Sequence, residues 1–215
     1  MNSLDLFLSL IKNGLATTLS LTFLSAALAF ALGLLSGLAR LSRYGILRAV
    51  SSVYVEFFRG TSLLVQLFWI YYVLPVLGFR IPSFQAGVLA IGLNFGAYFS
   101  EIVRSSILAV PKGQTEACVA LNFSPRKRMT RVVFPQALLR MLPSLGNQMI
   151  ELLKSTSLVS LIALGDLTYR ANILNASTFQ TTTIYSLLLL LYFLISLPIT
   201  RGVKLAEQKL SAGRL

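Results

Sequence analysis

Glu151 and Lys154 stand three residues apart, one turn of helix, and Ser155, Thr156 and Ser157 follow at once. A lysine beside serines is the constellation of a Ser–Lys nucleophile, in which a neutral amine takes the hydroxyl proton. Here Glu151 shares the helix face with Lys154 and keeps its amine protonated, the wrong state for a base. The chain has no histidine, which removes Ser–His nucleophiles, histidine-ligated metals and histidine-held haem. It has no Gly-x-x-x-x-Gly-Lys-Ser/Thr run, so it cannot cradle nucleotide phosphates in the P-loop manner. A charged residue inside a membrane span costs about 2.5–3.5 kcal/mol on insertion scales and so turns toward a bundle interior or a watery path. Two roles therefore stand open for Asn147, Gln148, Glu151, Lys154, Thr156 and Ser157: a structural ion pair with polar neighbours, or a face lining the passage of a polar solute. The second is the expectation.

The elements that carry these residues are apolar. Hydrophobic residues make up 55% of the chain and charged residues 12%, with a mean hydropathy of +0.75. A soluble domain carries about 25% charged residues, so this chain lacks the polar surface to clothe a globule in water. It reads as an all-α membrane protein, one domain over residues 1–215, with room for five spans of about 20 residues. The net charge of +12 raises the question of nucleic acid, but no basic stripe is interleaved with aromatics as such a face needs. Cys118 is the single cysteine, which excludes an internal disulfide. Asp5 in place of a basic n-region, and an uncharged run over residues 13–39, argue against a cleavable signal peptide.

Apolar runs place the spans at about 13–39, 60–79, 83–102, 143–165 and 183–200. Gly33 and Gly37 in the first, and Gly92 and Gly96 in the third, have the spacing that lets helices approach closely. Residues 41–58 either lie along the interface or begin the second helix, and Glu101 and Arg104 can pair on one face at the end of the third. Residues 166–182, rich in Asn, Ser and Thr, read as a loop. With five spans, 15 of the 19 Lys and Arg fall on one side: four in the first connection, seven from Arg104 to Arg140, and four in the tail. By the positive-inside rule the N-terminus is outside and the C-terminus cytoplasmic.

That orientation makes residues 105–142 cytoplasmic. Within them, residues 114–121 read as about two turns of helix, and Ser124-Pro125 as the start of another, with Ser at the N-cap and Pro first inside. A short helix with small residues in a basic loop has the character of an element held by a partner.

Five motifs then carry a resemblance: Glu56-Phe-Phe-Arg-Gly-Thr-Ser-Leu-Leu-Val-Gln66, Gly96-Ala-Tyr-Phe-Ser-Glu-Ile-Val-Arg104, Gly113-Gln-Thr-Glu-Ala117, Phe134-Pro-Gln-Ala-Leu138 and Leu153-Lys-Ser-Thr-Ser-Leu158. Over nearly the whole chain after Gly14 it resembles the permease subunits of ABC importers for polar amino acids and related compatible solutes. The resemblance implies a multi-pass protein of the bacterial inner membrane that pairs with a second permease subunit, identical or similar. It implies two cytosolic ATPase subunits, which bind ATP and Mg, and an extracytoplasmic solute-binding protein; this chain itself binds no cofactor. The implied ATPase-docking residues are Gly113, Glu116, Ala117, Cys118, Asn122 and Pro135. Cys118 stands where the family has a second Ala, and Asn122 where it has a Gly that ends the docking helix in a left-handed conformation. Asn tolerates that conformation next best. Ser62, Phe134 and Ser155 replace the family's Pro, Leu and Asp. The competing classes are a secondary transporter, whose inverted repeats five spans do not display, and a non-transporting assembly subunit.

Overall fold

The computed structural model describes residues 3–212, of which 88% are helical and none lies in a strand. Helix closes main-chain hydrogen bonds within one segment, the requirement that a lipid environment imposes. The chain opens with α1 (Ser3–Leu10), widens into a π turn at Ile11–Leu15 and continues without a break as α2 (Ala16–Ala39). Helix α3 (Gly45–Gly60) follows and then α4 (Leu63–Phe68), which passes through a π turn at Trp69–Val73 and a 3-10 turn at Leu74–Leu77. Helix α5 spans Ser83–Leu108, α6 Lys112–Ala120 and α7 Pro125–Arg128. A third π turn, Met129–Val133, joins α7 to α8 (Phe134–Ser155), and a 3-10 segment, Thr156–Ile162, ends that run. Helices α9 (Leu167–Thr178) and α10 (Thr181–Ala212) complete the chain. Pro75 and Pro135 lie two residues beyond the second and third π turns; a proline cannot donate to the carbonyl four residues back, and the helix widens there.

Helices α2 and α5 form the tightest pair. A Cβ on Gly33 would lie 2.4 Å from the Phe99 Cβ, and one on Gly37 2.8 Å from the Val103 Cβ. Gly92 and Gly96 are closed off in the same way by Leu28 and by Leu32 with the Tyr54 hydroxyl. Both small-residue spacings thus serve close approach. Around this pair packs the main core, with Leu21, Leu67, Ile91, Phe99, Leu152 and Ile162 all at or below 1% exposure. A second cluster, of Leu6, Leu10, Leu167 and Ile184, clamps the N-terminal run to α9 and α10, and a third, of Val103, Ile107, Val133 and Met141, joins the end of α5 to α8.

The helices depart from the sequence expectation in four places. Residues 45–60 are a helix of their own, set at 103° to the segment Leu63–Leu77, so the second apolar element begins after Gly60 rather than at it. Pro143, expected near the start of a span, lies inside α8, and the helix expected from Pro125 runs on without a break to Ser155. Helix α5 continues to Leu108, six residues past the expected end. Residues 167–178 form a helix where a loop was expected, because the Asp166 carboxylate caps it and Leu167 and Ala171 are buried in the second cluster. Among the described residues, three helices, Ala16–Ala39, Ser83–Leu108 and Thr181–Lys209, are long and apolar enough to cross a membrane, and the bent pair Gly45–Gly60 with Leu63–Leu77 counts as a fourth if it is taken as one span; α8, with its polar stretch, is not among them.

Candidate functional site

Two constructions carry the residues singled out by the sequence. The first is α6, which Pro111 starts from extended backbone (φ −56°, ψ 135°). It ends at Asn122, whose φ of 56° is left-handed. The Asn122 N–H donates to the Val119 carbonyl and the Phe123 N–H to the Cys118 carbonyl, each at 2.9 Å, which is the double bond pattern of a Schellman stop. Ser124 then caps α7, its hydroxyl accepting from the Lys127 N–H at 3.4 Å, with Pro125 in the first helical position as expected. The Lys127 ammonium lies 4.2 Å from the Phe123 ring centroid, and Gln136 of α8 donates to Gln114 at 3.1 Å. The Arg140 guanidinium donates to the Ala109 carbonyl just past α5, a favourable place for a cation at a helix C-terminus.

Glu116, Ala117 and Gly113 are exposed on α6, and Val119 and Leu121 add apolar surface at 59% and 68% exposure. Cys118 differs: it is 3% exposed and packs inward, so it supports the helix from within and offers nothing to an external cleft. Pro135 is half-buried beside the third π turn. The two exposed apolar residues were not singled out from the sequence, although their place beside small residues was a readable signal.

The second construction is a polar cavity of about 360 Å³, walled by Thr61, Ser62 and Leu63 at the α3–α4 break, by Asn94, Phe95 and Tyr98 of α5, and by Gln148, Glu151 and Ser155 of α8. Gln148, Glu151 and Ser155 repeat at three and four residues and so share one helix face. Of the six residues proposed from the sequence, Gln148 and Glu151 are in the wall. Lys154 stands beside it, its ammonium donating to Glu151 Oε1 at 2.9 Å, with both side chains more than half exposed. Asn147 is exposed but outside the wall; Thr156 is fully buried and donates to the Leu153 carbonyl, and Ser157 donates to the Lys154 carbonyl.

The sequence reading missed the groups that build the break. Gln66, 6% exposed, donates from Nε2 to the Phe58 carbonyl (3.0 Å) and to the Thr61 hydroxyl (2.6 Å). Asn94, 5% exposed, donates from Nδ2 to the same Phe58 carbonyl (2.9 Å) and to Gln66 Oε1 (3.1 Å). Side-chain amides thus satisfy a main-chain acceptor that the broken helix leaves open. Two uncharged amides inside apolar runs were the available signal. Toward the far end of α5, Glu101 accepts from Arg40 at 2.5 Å and Arg104 at 2.7 Å, with Arg59 at 3.8 Å. Arg59 also lies 5.4 Å from the centroid of Tyr98, a cavity residue.

Asp166 forms a separate node. It is fully buried and accepts from the Thr168 and Tyr169 N–H groups at 3.2 and 2.8 Å, with the Tyr192 hydroxyl at 3.4 Å. Burial pushes its carboxyl up to about 6, against the lowering effect of those hydrogen bonds.

The all-helical fold with long apolar helices, a polar cavity at a helix break and an exposed, separately capped short helix suits a membrane transport protein, and the comparisons give the class. Residues 9–212 match the family described as binding-protein-dependent transport system inner membrane component, and the chain belongs to that family. It is 44% identical over 203 residues to a probable amino-acid ABC transporter permease of Sinorhizobium fredii, y4tF, covering 92% of this chain and 84% of that one. It is 40% identical to the L-cystine transport system permease TcyB of Bacillus subtilis, covering 95% and 88%. Among solved structures, one described as an amino acid ABC transporter with histidines superposes with a TM-score of 0.89 at 36% identity, over 97% of this chain and 99% of that one. An inward-facing methionine ABC transporter shares the fold, with a TM-score of 0.76 at 22% identity.

Proposed function

We propose that the chain is a permease subunit of an ATP-driven importer that carries an amino acid, or a solute built like one, across the bacterial inner membrane. It works with a second permease subunit, two cytosolic ATPase subunits that hold ATP and Mg, and an extracytoplasmic solute-binding protein. It spans the membrane five times with its N-terminus outside, and performs no hydrolysis itself.

The observation that carries this reading is the polar cavity among α5, α8 and the α3–α4 break. Its wall offers hydrogen-bonding side chains in an otherwise apolar molecule, which suits a small polar solute and gives a lipid no advantage. Helix α6 is the proposed ATPase contact, through Gly113, Glu116 and Ala117, with Asn122 fixing its end and Cys118 and Pro135 supporting it. Closure of the ATPases around ATP draws the two docking helices together and opens the path outward; hydrolysis resets it. The residues of α8 that face the cavity, Gln148 and Glu151, line the path, with Lys154 at its edge.

The test is purification of the complex, reconstitution in proteoliposomes, and uptake of each radiolabelled amino acid with the cognate binding protein outside and ATP inside. Uptake that requires ATP and persists without an ion gradient is expected. Uptake driven by a gradient alone, or a chain that purifies without any ATPase, overturns the reading.

A further inference from the structure

The connection between α2 and α3 gathers positive charge that the described carboxylates leave largely unneutralised. Residues 40–55 contain Arg40, Arg43 and Arg48 and no Asp or Glu. Arg40 is engaged, since its guanidinium donates to Glu101. Arg43 and Arg48 are exposed, and neither is in an ion pair among the described residues. The Arg43 guanidinium donates to the Tyr44 hydroxyl at 3.1 Å and lies 5.1 Å from the centroid of that ring, contacts that hold it without cancelling its charge.

Between the same two helices runs a groove of about 310 Å³, walled by Leu32, Leu35 and Ala39 of α2, Val50 of α3 and Leu93 of α5. Ala39 and Val50 are the wall residues nearest to the connection in the chain, and Leu32 lies about 10 Å further along α2 at 1.5 Å per residue. The hydroxyls in this wall are mostly spent on main chain. Ser36 donates to the Leu32 carbonyl and Tyr54 to the Leu93 carbonyl, which uses the one proton of each. Ser51, one turn along α3 from Arg48, differs: its hydroxyl has no partner among the described residues. Leu35 and Val50 remain exposed, at 67% and 65%, an arrangement that hydrocarbon favours and water does not.

A free positive charge at one end and a dry apolar slot leading away from it match the two halves of an amphiphile. An acidic peptide would satisfy the arginines but would carry its main-chain N–H and C=O groups into a slot whose Ser36 and Tyr54 hydroxyls are already committed. An acyl chain has no such groups. The anionic lipids of the cytoplasmic leaflet supply the matching charge.

We propose that this groove binds one anionic phospholipid, with an acyl chain between α2 and α3, its phosphate on Arg43 and Arg48, and the Ser51 hydroxyl at its ester region. The site rests on the proposed topology, which puts residues 40–44 at the cytoplasmic face. Bound there, the lipid braces α3, which leads into the break at Thr61 and Ser62, against the fixed pair of α2 and α5.

The experiment uses the assembled complex in detergent. A phosphatidylglycerol carrying a diazirine in its acyl chain is bound, photolysed and located by mass spectrometry of the digested permease. Label is expected within residues 32–54. Unlabelled phosphatidylglycerol is expected to displace it at a concentration at least about tenfold lower than phosphatidylcholine of the same chains, the worth of two arginines at a membrane surface. Glycerol phosphate, which offers the anion without a chain, is expected to displace nothing at that concentration. Arg43→Gln combined with Arg48→Gln is expected to make the two lipids equal competitors. Both positions are exposed and lie outside the cavity and α6, and co-elution with the ATPase reports assembly. Val50→Trp, which fills the groove and keeps the arginines, is expected to lower labelling of this segment. Equal displacement by the two lipids in the unaltered complex, or an unchanged preference in the double variant, overturns the inference. Displacement by glycerol phosphate as readily as by the lipid leaves a simple anion site and overturns it too. So does absence of label from residues 32–54, the result if the second permease subunit covers the groove. Each of these outcomes leaves the importer reading in place, since that reading stands on ATP-dependent uptake.

Discussion

Asn122 shows what a single residue can disclose before any coordinates. The sequence expectation was a left-handed stop, and its φ is 56°, with the paired Val119 and Cys118 carbonyls closing the helix. A β-branched residue tolerates that conformation far less, at a cost of about 1–2 kcal/mol. Asn122→Val is therefore expected to raise amide exchange at Phe123, whose N–H bonds the Cys118 carbonyl, and to weaken ATPase co-purification, whereas Asn122→Gly leaves both intact. Asp166 was not legible in this way, because a carboxylate among Asn, Ser and Thr looks like any loop acid. Burial pushes its carboxyl up to about 6, from 3.8 for an ordinary aspartate. The folded state therefore holds a proton that the unfolded chain has released, and stability falls as pH rises from about 4 to about 6. The change is of the order of 3 kcal/mol. Asp166→Asn keeps a capping side chain and removes the charge, so the pH dependence of its thermal unfolding is expected to flatten across that window; an unchanged slope would assign it to another group.

At the scale of elements, long apolar runs were readable and irregular ones were not. The helices α2, α5 and α10 follow from composition. Helix α9 did not, because its residues have no apolar periodicity strong enough to outweigh Asn, Ser and Thr; packing of Leu167 and Ala171 and the Asp166 cap decide it. Pro143 misled in the opposite direction, since α8 passes through it. The sequence leaves residues 41–58 ambiguous, and the Gln66–Asn94 amide pair that satisfies the open carbonyl at the α3–α4 break is a tertiary contact that no local pattern announces. At the break, Ser62 has φ −69° and ψ 133°, and Thr61 before it is extended at φ −117° and ψ 152°. Both suit a proline at position 62. Ser62→Pro is expected to stabilise the complex by about 0.4–1 kcal/mol through the unfolded chain, read as a higher melting temperature with transport preserved. A lower one would mean that the Ser62 N–H or hydroxyl has a partner in the assembled complex.

For the whole molecule, one continuous helical run leads from beside α6, the proposed ATPase contact, to the cavity. That run begins at Pro125, beside α6, and reaches Glu151 and Ser155 at the cavity wall. Glu116→Lys or Ala117→Asp, changes confined to the exposed face of α6, are expected to uncouple ATP hydrolysis from uptake or to release the ATPase. Wild-type uptake and ATPase binding in both variants would remove α6 from the transmission path. The glycine contacts between α2 and α5 bear on the same question. With Gly33 and Gly37 set directly against Phe99 and Val103, the two helices have no clearance in which to roll or slide past each other. They make a stator. Helix α8 is seated as closely against α10, where a Cβ on Gly146 would lie 2.6 Å from the Val203 Cγ1, so under the proposed importer function a change of access has to come from elements outside these close contacts.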